Sequence, residues 1–473
     1  VRRTISVLAA ALWFAAGCGS AQARAAQPAS DDFKPCADAA GDAALAGSLC
    51  ARFSAPLSYA DPGRGQIDLF VREFPAKGRS KGQVWLVAGG PGESGATFYS
   101  MLATFRAAFP GYDLMVPDHR GTGFSTRLCP KEEAVDSEGG AALQGAEWAT
   151  CFGSLETERE RAHAFTITNA AQDLRRLVDR YGDRGKTWIY GVSYGTQLVL
   201  RTMAVAPPRK VDGIVLDSLV PPETTQTWDL SRRSAVVDEV GRKLLADCDA
   251  GPACREQLGG SAVAAMQAVV DDPKLAAAVP GGKPKLFFGA LLDFPELRAR
   301  IPSLLAALRA GDAAPLVQAE QDLEALGAGL MRFPQSPSSI PLVAMISASE
   351  NNARQGLTKA QVEAEAANYL FVSPLAGQLV GAASMAYPRD DAFGKPPARL
   401  PRLLVVQGDM DPKTPYAGAE AHVEALRAAG QVSLVKVGGA PHFVLFTAPD
   451  CFTRAVKPFV EKRRAKPKAC SID

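Results

Sequence analysis

The stretch Thr187-Trp188-Ile189-Tyr190-Gly191-Val192-Ser193-Tyr194-Gly195-Thr196 decides how the rest of this sequence is read. Thr187 to Tyr190 is a short apolar run of strand type, and Thr196 to Ala206 is an apolar run of helical length. Between them, glycines flank the serine on both sides, so the chain can turn sharply and lift the hydroxyl above a helix N-terminus. Working outward, Gln66 to Phe74 and Gln83 to Ala88 read as strands, the second running into Gly89-Gly90-Pro91-Gly92. Tyr112 to Pro117 is another apolar run, closed by Asp118-His119-Arg120-Gly121-Thr122-Gly123. Thr168 to Tyr181 has helical spacing, with Ala171, Leu174, Leu177 and Val178 on one face, and Val211 to Leu216 is again a buried strand. Nearly all-apolar strands that alternate with helices predict an α/β domain, its mostly parallel sheet covered by helices on both faces. From Pro221 to Pro397 the text turns Ala-rich and helical, punctuated by Pro and Gly. The strand–helix rhythm resumes with Arg402 to Gln407, Pro415 to Ala429 and Val432 to Val437. The expected organisation is a domain over 24–219 and 398–473, split by a helical insertion over 220–397.

A length of 473 residues allows about two to four domains, or one domain with a large insertion. With 47% hydrophobic and 22% charged residues, disordered, collagen-like and coiled-coil classes are excluded. The 52 Lys plus Arg against 50 Asp plus Glu leave a net charge of +2. No basic arm interrupts the body of the chain, so no nucleic-acid partner is expected. Lys462-Arg463-Arg464 reads as a solvated tail. There are 4 histidines, with no HExxH and no paired CxxC, so neither metal nor cofactor is expected.

Arg2 and Arg3 precede the apolar run Ile5 to Ala16 and the small residues Ala21-Gln22-Ala23. That order reads as a signal peptide over 1–23, cleaved after Ala23. A stable membrane span needs roughly 20 apolar residues, more than this run supplies. The alternative is lipidation of Cys18 after Ala15-Ala16-Gly17, although the usual Leu three residues before the cysteine is missing. Both readings put the mature protein outside the cytoplasm, secreted or periplasmic, with no membrane span. Of 9 cysteines, all but Cys18 lie beyond the signal, an even set suited to an oxidising compartment. Local closure predicts Cys36–Cys50, Cys129–Cys151, Cys248–Cys254 and Cys451–Cys470.

Gly191-Val192-Ser193-Tyr194-Gly195 between strand and helix resembles the nucleophile elbow of α/β-hydrolases. A serine hydroxyl is a poor nucleophile until a base takes its proton, and the base needs an acid to orient it. The hydrolase order places the acid and then the base in loops after later strands. Gln407-Gly408-Asp409-Met410-Asp411-Pro412 and Gly438-Gly439-Ala440-Pro441-His442 lie at those places. His442 is therefore the expected base. His422 falls mid-helix, where a surface histidine is expected, and His119 and His163 precede the serine. Asp411 is preferred as the acid because Pro412 and Thr414-Pro415 turn the chain beyond it, with Asp409 the alternative. Backbone N–H groups of Gly90 and Tyr194 are the expected oxyanion hole. Gly90-Pro91-Gly92-Glu93-Ser94-Gly95 is also literally G-x-G-x-x-G after a strand, with Asp118 as a would-be ribose acid. The long spacing to Asp118 and an exported setting disfavour a dinucleotide.

Gly89-Gly90-Pro91-Gly92, Asp118-His119-Arg120-Gly121-Thr122-Gly123-Phe124-Ser125, Gly191-Val192-Ser193-Tyr194-Gly195-Thr196 and Asp411-Pro412-Lys413-Thr414-Pro415 together resemble the proline iminopeptidase and tripeptidyl aminopeptidase family of α/β-hydrolases. The resemblance covers both halves of the catalytic domain and none of the insertion. It implies an oxyanion loop, a structural turn, the elbow and an acid loop, and it supports Asp411 over Asp409. Two departures stand out: Ala88 where many members have His, and Phe443 after the histidine where Gly is frequent. The implied activity is release of residues or short peptides from free N-termini, under a helical lid. Such an enzyme must hold a positive α-amino group, and Glu350 after the apolar run Leu342 to Ile346 is the candidate acid, with Glu223 second. The competing reading of Glu350 is a helix N-terminal acid favoured by the dipole. An esterase or amidase acting on small substrates is the alternative function. A binding protein on the same scaffold is the remote one, disfavoured because Ser193, Asp411 and His442 are all present.

Overall fold

The computed structural model describes residues 32–182, 185–461 and 470–472. The signal-peptide reading, the Ala23 cleavage site, Cys18 and the Lys462-Arg463-Arg464 tail lie outside them. Ten strands form one sheet: β1 Lys34–Pro35, β2 Leu49–Pro56, β3 Gln66–Phe74, β4 Gly82–Val87, β5 Asp113–Asp118, β6 Lys186–Val192, β7 Gly213–Asp217, β8 Leu403–Gly408, β9 Val432–Gly438 and β10 Cys470–Ser471. Their spatial order is β1-β2-β3-β5-β4-β6-β7-β8-β9-β10. From β5 to β10 every pairing is parallel, whereas β1, β2 and β3 run antiparallel to their neighbours. The chain has the α/β-hydrolase fold.

The central strands are buried on both faces, which is why they read as continuous apolar runs. In β4, Trp85 and Val87 join the core on one face while Val84 and Leu86 join the other. The first face carries the helices Ile167–Tyr181 and Tyr194–Val205, and the second carries Pro449–Glu461. Thr166 caps the first of these helices, its side chain accepting the Asn169 N–H. A third cluster belongs mainly to the helices between β7 and β8, such as Phe288, Leu291, Ile301 and Leu305. Each fully buried aliphatic side chain in such a cluster contributes roughly 1.5–3 kcal/mol.

Leu49–Pro56 is a strand paired with β3 along its whole length. Cys36–Cys50, Cys129–Cys151, Cys248–Cys254 and Cys451–Cys470 are all disulfides, with Cα–Cα distances of 5.0, 5.4, 5.4 and 5.7 Å. The last fastens β10 to the helix Pro449–Glu461. Among the described residues, no helix is long and apolar enough to cross a membrane.

Candidate active site

Three loops converge at the C-terminal ends of the parallel strands, the end at which open α/β sheets bind ligands. Ser193 follows β6 near the middle of the sheet, Asp411 follows β8, and His442 follows β9. Ser193 has φ 53°, and the helix Tyr194–Val205 begins immediately after it. A β-carbon on Gly195 would stand 2.4 Å from the Val87 carbonyl oxygen, and one on Gly191 would stand 2.6 Å from that of Gly195. Two glycines therefore permit a turn that holds the serine in a strained conformation.

His442 Nδ1 lies 2.9 Å from Asp411 Oδ2 and 3.1 Å from Oδ1, and both side chains are buried. Asp411 Oδ1 also accepts the backbone N–H groups of Lys413 and Thr414, each at 2.8 Å. Its Oδ2 accepts from Thr414 Oγ1 at 2.7 Å and Gln407 Nε2 at 3.1 Å. Burial alone would raise this carboxyl, but His442 and the Thr414 donors more than offset it and hold Asp411 below the usual aspartate range. The competing acid is spoken for elsewhere. Asp409 accepts the Gly439 N–H at 2.8 Å and pairs with Lys436 at 3.1 Å. Phe443 has φ 64°, the left-handed region in which glycine is at ease, so here a phenylalanine occupies a strained position beside the histidine.

Two cavities meet at Ser193. One, about 280 Å³, is lined by Ser193, His442, Gly90 and Glu93, with Phe294 and Phe446 among its apolar walls. The other is lined by Ser193, Gly90, Tyr194 and Glu223. Gly90 has φ 105°, and a β-carbon there would stand 2.2 Å from the Gly92 nitrogen, so the loop backbone approaches the serine unobstructed by a side chain. Glu93 Oε2 and Ser193 Cβ lie 3.0 and 3.2 Å from the point where a Gly89 β-carbon would stand. Burial pushes the Glu93 carboxyl up, against the pull of Lys413, His442 and the Gly89 N–H.

Glu350 departs from both of its readings. It is the last residue of the helix Ile340–Glu350, not the first, and it lines neither cavity at Ser193. Its two oxygens accept from Arg201 Nη2 and Tyr387 OH, each at 3.0 Å. Arg201 also donates to Glu223 at 2.7 and 2.8 Å, and Glu223 further accepts from Gln197 Nε2 and the Gly394 N–H. A carboxylate at a helix C-terminus opposes the dipole, and the guanidinium of Arg201 compensates it.

His422 is not a solvated surface histidine either. Its Nδ1 lies 2.7 Å from the Val220 carbonyl oxygen, and burial pushes its pKa down. His119 is buried, and burial lowers it to about 4. Asp118 accepts the N–H groups of Gly95 at 2.7 Å and Phe124 at 2.8 Å, so it braces the turn and has no ribose-binding geometry to offer. Three side chains around the site, Gln407, Arg201 and Tyr387, were given no role by the sequence, and Thr414 was read only as part of a turn. Only Gln407 carried a local signal, as a polar residue inside an otherwise apolar strand.

A serine on a strained elbow, a histidine held by a buried carboxylate and a glycine loop open on one cavity, an arrangement of the kind that serine hydrolases use. The family model for the alpha/beta hydrolase fold matches residues 84–255, and that for TAP-like protein matches residues 380–470. Tripeptidyl aminopeptidase of Streptomyces coelicolor is 32% identical over 238 residues, 45% of this chain and 42% of the relative. Serine protease Hip1 of Mycobacterium tuberculosis is 27% identical over 227 residues, 44% of this chain and 43% of the relative. The chain thus spans under half the length of the curated relatives it matches. A solved α/β-hydrolase from a Medee basin deep-sea metagenome library superposes with a TM-score of 0.41 at 12% identity, over 84% of this chain and 96% of that one. Along these stretches the chain is similar to peptidases of the α/β-hydrolase fold.

Proposed function

We propose that this chain is an exported serine hydrolase that releases residues or short peptides from free N-termini through an acyl-enzyme. The observation that carries the reading is the His442–Asp411 contact at 2.9 Å on the cavity that Ser193 lines. Ser193 Oγ attacks the scissile carbonyl carbon as His442 Nε2 takes its proton. Asp411, ionised, accepts from Nδ1–H, which fixes the tautomer and stabilises the imidazolium. The N–H groups of Gly90 and Tyr194 receive the developing oxyanion. His442 returns the proton to the leaving amine, and a water then repeats the sequence on the acyl-enzyme. The four disulfides support the export reading, and the helices over 220–397 serve as the lid.

The amino group needs an anion within the cavity. Glu350 and Glu223 are already matched to Arg201, whereas Glu93 faces the cavity and accepts from the Gly89 N–H, with no ion pair among the described residues. Glu93 takes the place expected of Glu350. An ammonium there would supply the countercharge that burial denies this carboxylate. The apolar walls of the same cavity favour a second reading, an esterase or amidase on small substrates.

Chromogenic prolyl, alanyl, tripeptidyl and N-blocked amides, with short esters, separate the two. On the peptidase reading, free-N-terminal amides are cleaved and their N-acetylated forms are not. Ser193→Ala and His442→Ala each lower turnover by roughly 10⁴–10⁶, and the double change is scarcely worse. Preference for N-blocked substrates or esters would move the assignment to the second reading. Undiminished turnover in Ser193→Ala would remove both.

A further inference from the structure

Among the described residues, the space around Ser193 contains a guanidinium that no hydrogen bond or ion pair answers. Arg233 opens the helix Arg233–Ala250 and lines both cavities that meet at Ser193. Among the described residues its guanidinium has no hydrogen bond and no ion pair. The arginines nearby are matched. Arg232 reaches Glu365 at 3.5 Å, and Arg354 binds Glu365 at 2.5 Å and Ser231 Oγ at 2.9 Å. The carboxylates that act on Arg233 electrostatically are Asp411 and Asp293. Asp411 is filled by His442, Gln407, Thr414 and the Lys413 N–H, and Asp293 takes Lys413 Nζ at 3.0 Å. Neither reaches Arg233 with a hydrogen bond.

A guanidinium stays charged even where burial lowers its pKa, and its fork of donors fits the planar oxyanion that a peptide supplies, a carboxylate taken by two parallel hydrogen bonds. We propose that Arg233 is a substrate-binding residue that receives a carboxylate of the substrate beside Ser193. This deepens the hydrolase reading and rests on it for the identity of the site. With Glu93 holding an ammonium, a carboxylate at Arg233 makes the preferred substrate a zwitterion, an unblocked short peptide rather than the end of a long chain. The carboxylate has two chemical sources, the C-terminal α-carboxylate and an acidic side chain near the scissile bond. Lys413, which lines both cavities as well, adds positive potential to either.

The test is binding, which does not need turnover. The full chain carrying Ser193→Ala is titrated calorimetrically with Ala-Ala-Ala, with its C-terminal amide, and with Ala-Asp-Ala amide. The carboxylate-bearing peptides are expected to bind about 10–100-fold more tightly than Ala-Ala-Ala amide, the range of a charge-assisted contact. Adding Arg233→Gln erases that advantage and leaves the affinity of the neutral amide in place, while Arg233→Lys keeps part of it. Advantage for Ala-Ala-Ala alone identifies the α-carboxylate, and advantage for Ala-Asp-Ala amide alone identifies the side chain. Equal binding of all three peptides, absence of binding by any, or equal weakening of all three by Arg233→Gln overturns the proposal. Fluorophosphonate labelling of the chain with Ser193 intact reports the hydrolase reading separately. Labelling without a carboxylate preference sinks the Arg233 assignment alone, and a carboxylate preference without labelling sinks the hydrolase reading alone.

Discussion

Arg201→Met removes the cation that two buried carboxylates share. The Arg201 and Glu350 side chains are each 1% exposed and that of Glu223 is 13%, so solvent screens little of the interaction. Arg201 Nη2 is placed 2.7 and 2.8 Å from the Glu223 oxygens and 3.0 Å from Glu350, and Nη1 donates to Thr168 at 2.9 Å. Methionine keeps much of the aliphatic stem, so lost packing is the smaller part of the effect. Removing one partner from a buried ion pair costs about 3–5 kcal/mol. Two stranded carboxylates put Arg201→Met at the upper end of that range.

The pH dependence identifies the cause. Burial raises the Glu350 carboxyl, and Arg201 is what pulls it back. Without Arg201 it rises further above its unfolded value of about 4.3. A group whose folded pKa lies above the unfolded one stabilises below the unfolded pKa, and that contribution is lost as pH rises through the folded pKa. The deficit of Arg201→Met relative to the parent should therefore be smallest near pH 4 and grow toward pH 7. Adding Glu350→Gln should recover part of it at neutral pH by removing one of the stranded charges. Urea melts of the three proteins from pH 4 to 8 measure this. A deficit under about 1 kcal/mol at pH 7, or one that does not change with pH, would mean that the network contributes only as an ordinary surface pair would.

Gly195→Ala should destabilise the fold by about 1–3 kcal/mol, because its β-carbon meets the carbonyl oxygens of Val87 at 2.4 Å and Ala88 at 2.7 Å rather than a side chain that can swing away. The same shift moves the Tyr194 N–H, so fluorophosphonate labelling should slow even in protein that remains folded at the assay temperature. His422→Ala should lose about 0.5–1.5 kcal/mol of stability with the Nδ1–Val220 hydrogen bond. Its turnover per labelled active site should stay unchanged, and a large loss of turnover would contradict the His442 assignment.

What the sequence made legible was local. The elbow and the oxyanion loop are backbone devices, so their glycines declare them. The central strands declare themselves because both faces are buried. Leu49–Pro56 was hidden by its half-buried, mixed pattern, and it forms a strand by pairing with β3. Asp409 and Asp411 sit two residues apart in one loop; the turn after Asp411 already favoured it, and the contacts separate the two: one faces Gly439 and Lys436, the other His442. Glu350 was misjudged because its partner Arg201 is 149 residues earlier, inside a helix that reads as plainly apolar.

That partnership changes how the insertion relates to Ser193. Ser193 stands at the N-terminus of the helix Tyr194–Val205, and Arg201 lies along the same rod, about 12 Å further on at 1.5 Å per residue. Glu350 ends the helix Ile340–Glu350, whose Leu342, Met345 and Ile346 belong to the same core cluster as Tyr194 and Leu198. The later part of the insertion is thus bound by apolar packing and a buried ion pair to the helix that follows Ser193, and it is core despite its place in the chain. The helices around Phe288 and Ile301 form a cluster of their own and share far less with the sheet. If the helices over 220–397 serve as the lid proposed above, the segment that ends at Glu350 is its anchored part, held to the helix Tyr194–Val205 by Arg201 and by the shared core.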